Sequence, residues 1–148
     1  MKQRSAEVFG FEIDGERAKK IQGRTYQGHR ENDVDQCDFM KIEPQRIADV
    51  VMMNPPFSNH RSEFHVYRAA KWLAKGGVLI AVMPPSWRHN RDKYATAFRE
   101  WVEGLDHEWI ELPSGSFKES NTMVNVGLLV IRRDVDKQGA IGISGETK

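Results

Sequence analysis

Asn54, Pro55, Pro56 and Phe57 follow directly on the apolar run Ala48-Asp49-Val50-Val51-Met52-Met53. Consecutive prolines stop a strand and keep the backbone extended, so the tetrad reads at the least as a rigid loop leaving a buried strand. Its residue types allow more than that. An exocyclic amine on an aromatic base is a poor nucleophile, because its lone pair is delocalised into the ring. Two acceptors set on its two N–H bonds favour a more tetrahedral nitrogen and localise that pair. The side-chain oxygen of Asn54 and the backbone carbonyl of Pro55 are two such acceptors, and the prolines preorganise both. Phe57 offers a face on which an extruded base can stack. No titratable base is needed to begin the attack. The electrophile that suits such a site is a methyl group on a sulfonium, displaced in line.

Two acidic positions extend the pattern. Glu12 lies near the end of the run Val8-Phe9-Gly10-Phe11-Glu12-Ile13. That is the place of a carboxylate that hydrogen-bonds ribose hydroxyls at a strand end, and equally of a surface glutamate before a helix. Asp38-Phe39 could hold an adenine ring, the carboxylate accepting from its amino group and the aromatic lying against it. Asp is also a common turn residue, so an ordinary strand terminus is the competing reading. Basic stretches occur at His60-Arg61, Arg88-His89-Asn90-Arg91 and Arg132-Arg133. Most such runs are solvated surface. The first two follow expected strand ends, where a ligand would approach.

Alternating strands and helices are expected to position these residues. Residues 8–13 read as a strand. Asp14 can cap a short helix with Ala18 and Ile21 inward and Gly23 at its end. Residues 24–33 are polar and loop-like, and 34–39 form a weak strand. Pro44 precedes the strong strand at 48–53. After a loop at 58–61, Ser62 or Asn59 can cap a second helix, whose inward face is Phe64, Tyr67, Ala70, Leu73 and Ala74. Gly76-Gly77 would end it. Residues 78–83 are continuously apolar, as in a strand covered on both faces, and Pro84-Pro85 stops them. Asp92 can cap a third helix that buries Tyr94, Phe98, Trp101, Val102 and Leu105. Residues 107–112 read as a strand, 113–116 as a turn and 123–131 as a last strand. Residues 134–148 are polar and read as a flexible tail.

The expected fold class is α/β, a three-layer arrangement with a mostly parallel sheet and an antiparallel last strand. Residues 1–133 would form one domain. Ligands of such sheets bind beyond the carboxyl ends of the strands, where Glu12, Asp38, Asn54 and Pro84 all fall.

Bulk properties set limits on this reading. The chain has 148 residues, 39% hydrophobic and 29% charged, ordinary values for a soluble globular domain with a real core. No apolar run approaches a membrane span, and Met1-Lys2-Gln3-Arg4-Ser5 lacks the apolar stretch of a signal peptide. One cysteine, Cys37, excludes an internal disulfide and suits a reducing cytoplasm. No Cys/His cluster has zinc spacing, so no metal is expected. The net charge of +1, from 22 basic and 21 acidic residues, is not that of a self-sufficient DNA-binding protein.

Taken together, these residues resemble the amino-directed branch of S-adenosylmethionine-dependent methyltransferases with a Rossmann-like fold. Phe11-Glu12-Ile13 looks like the ribose-binding motif, and Cys37-Asp38-Phe39 like the adenine-binding motif. Asn54-Pro55-Pro56-Phe57 looks like the catalytic motif of adenine-N6 enzymes. Ser58-Asn59, His65, Ala69-Ala70, Leu73, Gly76-Gly77-Val78-Leu79 and the stretch from Leu112 to Thr122 resemble a small type common on phages and mobile elements. The resemblance implies methyl transfer from S-adenosylmethionine to the N6 amino group of adenine in DNA. Glu12, Ile13, Asp38 and Phe39 would hold the cofactor. Ser58, Asn59, Arg61, Arg88, Phe117 and Lys118 would touch the nucleic acid. RNA adenine, cytosine N4 and protein glutamine present the same planar amine and are alternative acceptors. The glutamine enzymes usually carry Tyr where Phe57 stands.

The family places a first strand and a glycine-rich cofactor loop ahead of the Glu12 segment. Only eleven residues precede Glu12 here, and none forms a G-x-G pattern. By analogy the missing strand is central, between the strands ending at Glu12 and Asn54, and its loss would leave two inner edges unpaired. Amino-terminal truncation is the favoured account. A second copy or another chain supplying the strand, and direct pairing of the inner strands, are the others. The departure also opens a third functional reading, a non-catalytic binding module derived from a methyltransferase.

Overall fold

Parallel strands need a crossover between them, and residues 54–72 supply one between the strands at 48–53 and 73–83. The computed structural model describes residues 7–22, 33–116 and 125–134. It divides into two units, Met1–Glu43 and Pro44–Lys148.

In the first unit, β1 is Phe9–Glu12, α1 is Gly15–Ile21 and β2 is Asp33–Gln36. The two strands pair in parallel, from Phe9 opposite Asp33 to Glu12 opposite Gln36. Asp14 caps α1 as expected, its carboxylate accepting from the Arg17 amide at 2.9 Å. Ala18 and Val34 are buried. Ile21, expected inward, is exposed, because a two-stranded sheet is too narrow to cover a second helical turn. β2 is also shorter than the expected 34–39. Asp38 instead caps a 3₁₀ turn at Phe39–Lys41, accepting from the Met40 amide at 3.0 Å.

In the second unit, β3 is Ala48–Met53, α2 Arg61–Ala70, β4 Leu73–Met83, α3 Lys93–Glu103, β5 Asp106–Glu111 and β6 Gly127–Arg132. They form one sheet in the order β3-β4-β6-β5. β3 and β4 are parallel, while β6 is antiparallel to both its neighbours. Three strands therefore run one way, and only the last runs against them, as expected. Val66 of α2, Val102 of α3, Leu79 and Met83 of β4, and Leu129 and Ile131 of β6 are fully buried and form the centre of the core.

The boundary between α2 and β4 differs from expectation. Leu73 and Ala74 continue the helical period, yet α2 ends at Ala70 and Leu73 already pairs with Ala48. The Trp72 carbonyl accepts from the Ile47 and Ala48 amides at 3.1 and 3.0 Å, which ties the chain to β3 before another helical turn can form. Gly76-Gly77 does not stop a helix. It makes a bulge in β4, where Ala48 faces Leu73 and Val50 faces Val78. Gly76 has φ 74°, and a Cβ on Gly77 would lie 2.9 Å from the Ala48 carbonyl oxygen.

Three smaller corrections follow the same logic of competing contacts. Neither Ser62 nor Asn59 caps α2. His60 occupies the cap position in a left-handed conformation without a side-chain cap bond, and Ser62 Oγ donates to Glu63 instead. Phe64 and Tyr94, expected inward, are exposed and pack on each other, rings 5.6 Å apart. Leu105 lies beyond the end of α3, and Trp101 is half-buried. β5 begins one residue earlier than expected. Gly127 allows the Trp109 indole to cross β6, since a Cβ there would overlap the ring.

The described strands form two sheets, β1-β2 and β3-β4-β6-β5. β1 and β3 each have a single strand neighbour among the described residues. Val50 and Met52, two residues apart on one face of β3, are exposed. Gly23, residues 24–32, Phe117 to Thr122, residues 123–124 and the tail at 135–148 lie outside the described residues.

Candidate functional site

In the second unit, parallel pairing puts the carboxyl ends of β3 and β4 at one edge of the sheet, with Met53 opposite Ala81. Met83 and Glu111 both face Gly127, so the connection after β4 and the one from β5 to β6 leave from that edge as well. Asn54–Phe57, the 3₁₀ turn at Pro85–Arg88 and residues 112–116 and 125–126 thus share one end of the sheet. Asn54 is exposed, and its amide makes no hydrogen bond among the described residues. Pro55 is buried, Pro56 exposed and Phe57 half-buried. A buried proline flanked by a second one holds the chain with no amide hydrogen to satisfy, and leaves the Asn54 carboxamide presented outward. Pro84, also expected at a strand end, follows β4 and is buried.

Beside the tetrad, His60 and Glu63, neither assigned a role in the site from sequence, are closely bound. Asn59 and His60 both have positive φ, 53° and 57°. His60 Nδ1 lies 3.4 Å from Glu63 Oε1, and its Nε2 lies 3.5 Å from Asp92 Oδ1. Its ring is 5.4 Å from that of Tyr94. Glu63 is buried and its second oxygen accepts from Ser62 Oγ at 2.6 Å. Asp92 caps α3, accepting from the Tyr94 and Ala95 amides at 3.0 Å each. The Ala95 bond in particular holds its carboxyl below the ordinary aspartate range. The cap was legible from sequence. The burial of Glu63 was not, because a lone Glu in the first turn of a helix normally signals a solvated face.

The expected nucleic-acid contacts divide. Ser58, Asn59 and Arg61 are exposed beside the tetrad. Arg88 is partly engaged within the unit, its guanidinium 5.6 Å from the Trp109 ring and Nη1 3.5 Å from Glu111 Oε1. Arg99, not singled out before, donates to the carbonyls of Trp87 and Asn90 at 2.9 and 3.1 Å and so braces the loop that carries Arg88 and Arg91. Phe117 and Lys118 are outside the described residues.

In the first unit, Glu12-Ile13 and Asp38-Phe39 meet at the carboxyl end of the β1–β2 pair. The Cys37 amide donates to the Glu12 carbonyl at 3.0 Å, and the Phe11 and Phe39 rings are 5.9 Å apart. Glu12 Oε1 accepts from the Asp14 amide at 2.9 Å and meets Arg17 Nη2 at 3.2 Å. Asp38 Oδ1 is used by its cap, with Lys41 Nζ 4.0 Å from Oδ2. Ile13 is exposed. Burial raises the Cys37 thiol above its ordinary range, with Asp35 and Asp38 adding to the rise. Two carboxylates, each beside an apolar residue at a strand end, suit the sugar and base of a nucleoside. Among the described residues no group of His, Cys, Asp and Glu could hold a metal ion, and no helix is long and apolar enough to cross a membrane.

No protein-family model and no curated protein matches the sequence. Solved structures match its fold. A protein from Vibrio vulnificus, described as a modification subunit of a type I restriction enzyme, aligns with TM-score 0.61 and 15% identity over 87% of this chain and 33% of that one. A dimethyladenosine transferase from Plasmodium falciparum aligns with TM-score 0.61 and 16% identity over 85% of this chain and 47% of its own. A phosphoethanolamine N-methyltransferase from Haemonchus contortus, solved with phosphoethanolamine and S-adenosylhomocysteine, aligns with TM-score 0.53 and 12% identity over 91% of this chain and 36% of that chain. The chain therefore spans less than half the length of these structures and shares the Rossmann-like α/β fold in which they are built.

Proposed function

We propose that this chain carries the amine-holding site of a methyltransferase that modifies the N6 amino group of adenine in DNA. One observation supports the reading above the rest. The Asn54 carboxamide is exposed at the carboxyl edge of the sheet, free of hydrogen bonds among the described residues, on a loop stiffened by buried Pro55. Its oxygen accepts one N–H of the target amine and the Pro55 carbonyl accepts the other, which localises the nitrogen lone pair. Phe57 stacks on the extruded base. Pro56 adds stiffness without an amide hydrogen of its own. Ser58, Asn59, Arg61 and Arg88 line the approach of the strand.

S-adenosylmethionine, when bound, supplies a methyl group on a positively charged sulfur that leaves as a neutral thioether. Glu12 accepts from the ribose hydroxyls through Oε2, the oxygen not used by Asp14 and Arg17. Asp38 accepts from the adenine amine, and Ile13 and Phe39 cover the ring. The attacking nitrogen ends with one new N–C bond and releases one proton to water.

Adenine in RNA is the second reading, favoured by the likeness in fold to a 23S rRNA methyltransferase. Incubating the chain with methyl-labelled cofactor and DNA, RNA or a glutamine peptide tests both. Label on N6 of DNA adenine, lost in Asn54→Ala, is the expected result. Label confined to RNA selects the second reading, and undiminished DNA labelling in Asn54→Ala removes Asn54 from the mechanism.

A further inference from the structure

L-residues other than glycine adopt left-handed backbone rarely, and usually singly. Asn59 and His60 do so in succession, two and three residues after Phe57, which itself heads the 3₁₀ turn Ser58–His60. Asn59 is exposed, so core packing does not impose its conformation. The side chain that ties this turn down is His60.

Each of its ring nitrogens meets a carboxylate, and each carboxylate is fixed elsewhere. Glu63 is buried in the first turn of α2, with its other oxygen holding the fully buried Ser62 hydroxyl. Asp92 is pinned to the start of α3 by two amides. The Tyr94 ring packs on the imidazole, and Lys93 Nζ lies 4.8 Å from the centre of that ring. A neutral imidazole carries one N–H and an imidazolium two, so both carboxylates receive a hydrogen only when His60 is charged.

The geometry points to His60 as a positioning residue: clamped between Glu63 and Asp92, it holds the left-handed turn at Asn59 and His60 and thereby fixes the direction in which Asn54–Phe57 leaves β3. The use of that fixed loop rests on the methylation reading above, whereas the clamp stands on its own contacts. Pro55 and Pro56 transmit the constraint, because their φ angles cannot absorb a rotation begun at the turn.

Amide hydrogen exchange on the full chain tests the clamp without substrate. His60→Gly removes the imidazole while tolerating positive φ, so its effect reports the clamp and not backbone strain. Exchange at Phe57, Ser58 and Asn59 is expected to quicken about tenfold or more, with Val66 and Val102 unchanged. Asp92→Asn keeps a capping side chain and is expected to quicken the same three amides less. In methylation assays His60→Gly lowers kcat about 10- to 100-fold without changing KM for the cofactor. Unchanged exchange at the three amides, equal acceleration at Val66 and Val102, or an unchanged kcat in a chain that methylates would each overturn the proposal. Faster exchange in a chain that methylates no substrate supports the clamp and overturns only the methylation reading.

Discussion

The two units hold their polar candidates in opposite ways. In the first, Glu12 and Asp38 serve their own backbone, one taking the Asp14 amide and the other the Met40 amide. In the second, Asn54 takes nothing among the described residues, and the residues that brace its loop, Pro55, Glu63 and Ser62, are the buried ones. A four-stranded sheet with two helices can hold a polar side chain in readiness because the surrounding core bears the conformational cost. A two-stranded pair with one short helix steadies its carboxylates only by using them as caps. The carboxylates of the first unit are thus already at work, while the Asn54 carboxamide has no hydrogen-bond partner among the described residues.

This contrast can be broken in four places. Asn54→Ala is expected to have the largest effect, a loss of about 100-fold or more in methyl transfer with unchanged cofactor affinity. Weakened cofactor binding in that variant would mean that the two regions do not act separately. Gly127→Ala drives a methyl group into the Trp109 ring, and should lower the stability of the second unit by about 1–3 kcal/mol in denaturant titration. Equal loss at amides of the first unit would show that the two unfold together. Glu12→Gln should weaken S-adenosylhomocysteine binding about tenfold by calorimetry, since one hydrogen bond to a charged acceptor is lost. No change would leave Glu12 with its capping role alone. The smallest effect concerns Asp92. Its carboxyl sits below the ordinary range in the folded chain, so it stabilises the fold above the unfolded-state pKa. That stabilisation is lost as pH falls through the lower, folded-state value. Asp92→Asn should flatten the fall in thermal midpoint below about pH 4, and an unaltered acid profile would place the acid sensitivity elsewhere.

Much of the fold is written in short-range signals. The caps at Asp14 and Asp92, the stops at Pro55 and Pro84, the apolar run of β4 and the antiparallel last strand can all be read from neighbouring residues, because turn chemistry and hydrophobic period act over a few positions. The tetrad, its place after a strand and the acidic residues at two strand ends are likewise legible. Where the reading failed, two local patterns competed and a distant contact decided. Leu73 and Ala74 continue a helical period, but two amides from residues 47 and 48 capture the Trp72 carbonyl and turn the chain into β4. Arg88 looks like a free basic residue until the strand pairing brings Trp109 and Glu111 to it.

The sequence by itself determined which residues can accept hydrogen bonds from a flat amine, that they stand at a strand end, and that strands and helices alternate around them. Only the tertiary structure decided that His60 sits between two carboxylates from different helices, that Gly76-Gly77 bulges a strand instead of ending a helix, and that the strands divide into two sheets. These outcomes depend on side chains and backbone groups far apart in the chain, whose meeting is set by burial of a shared core. No window of adjacent residues carries that information.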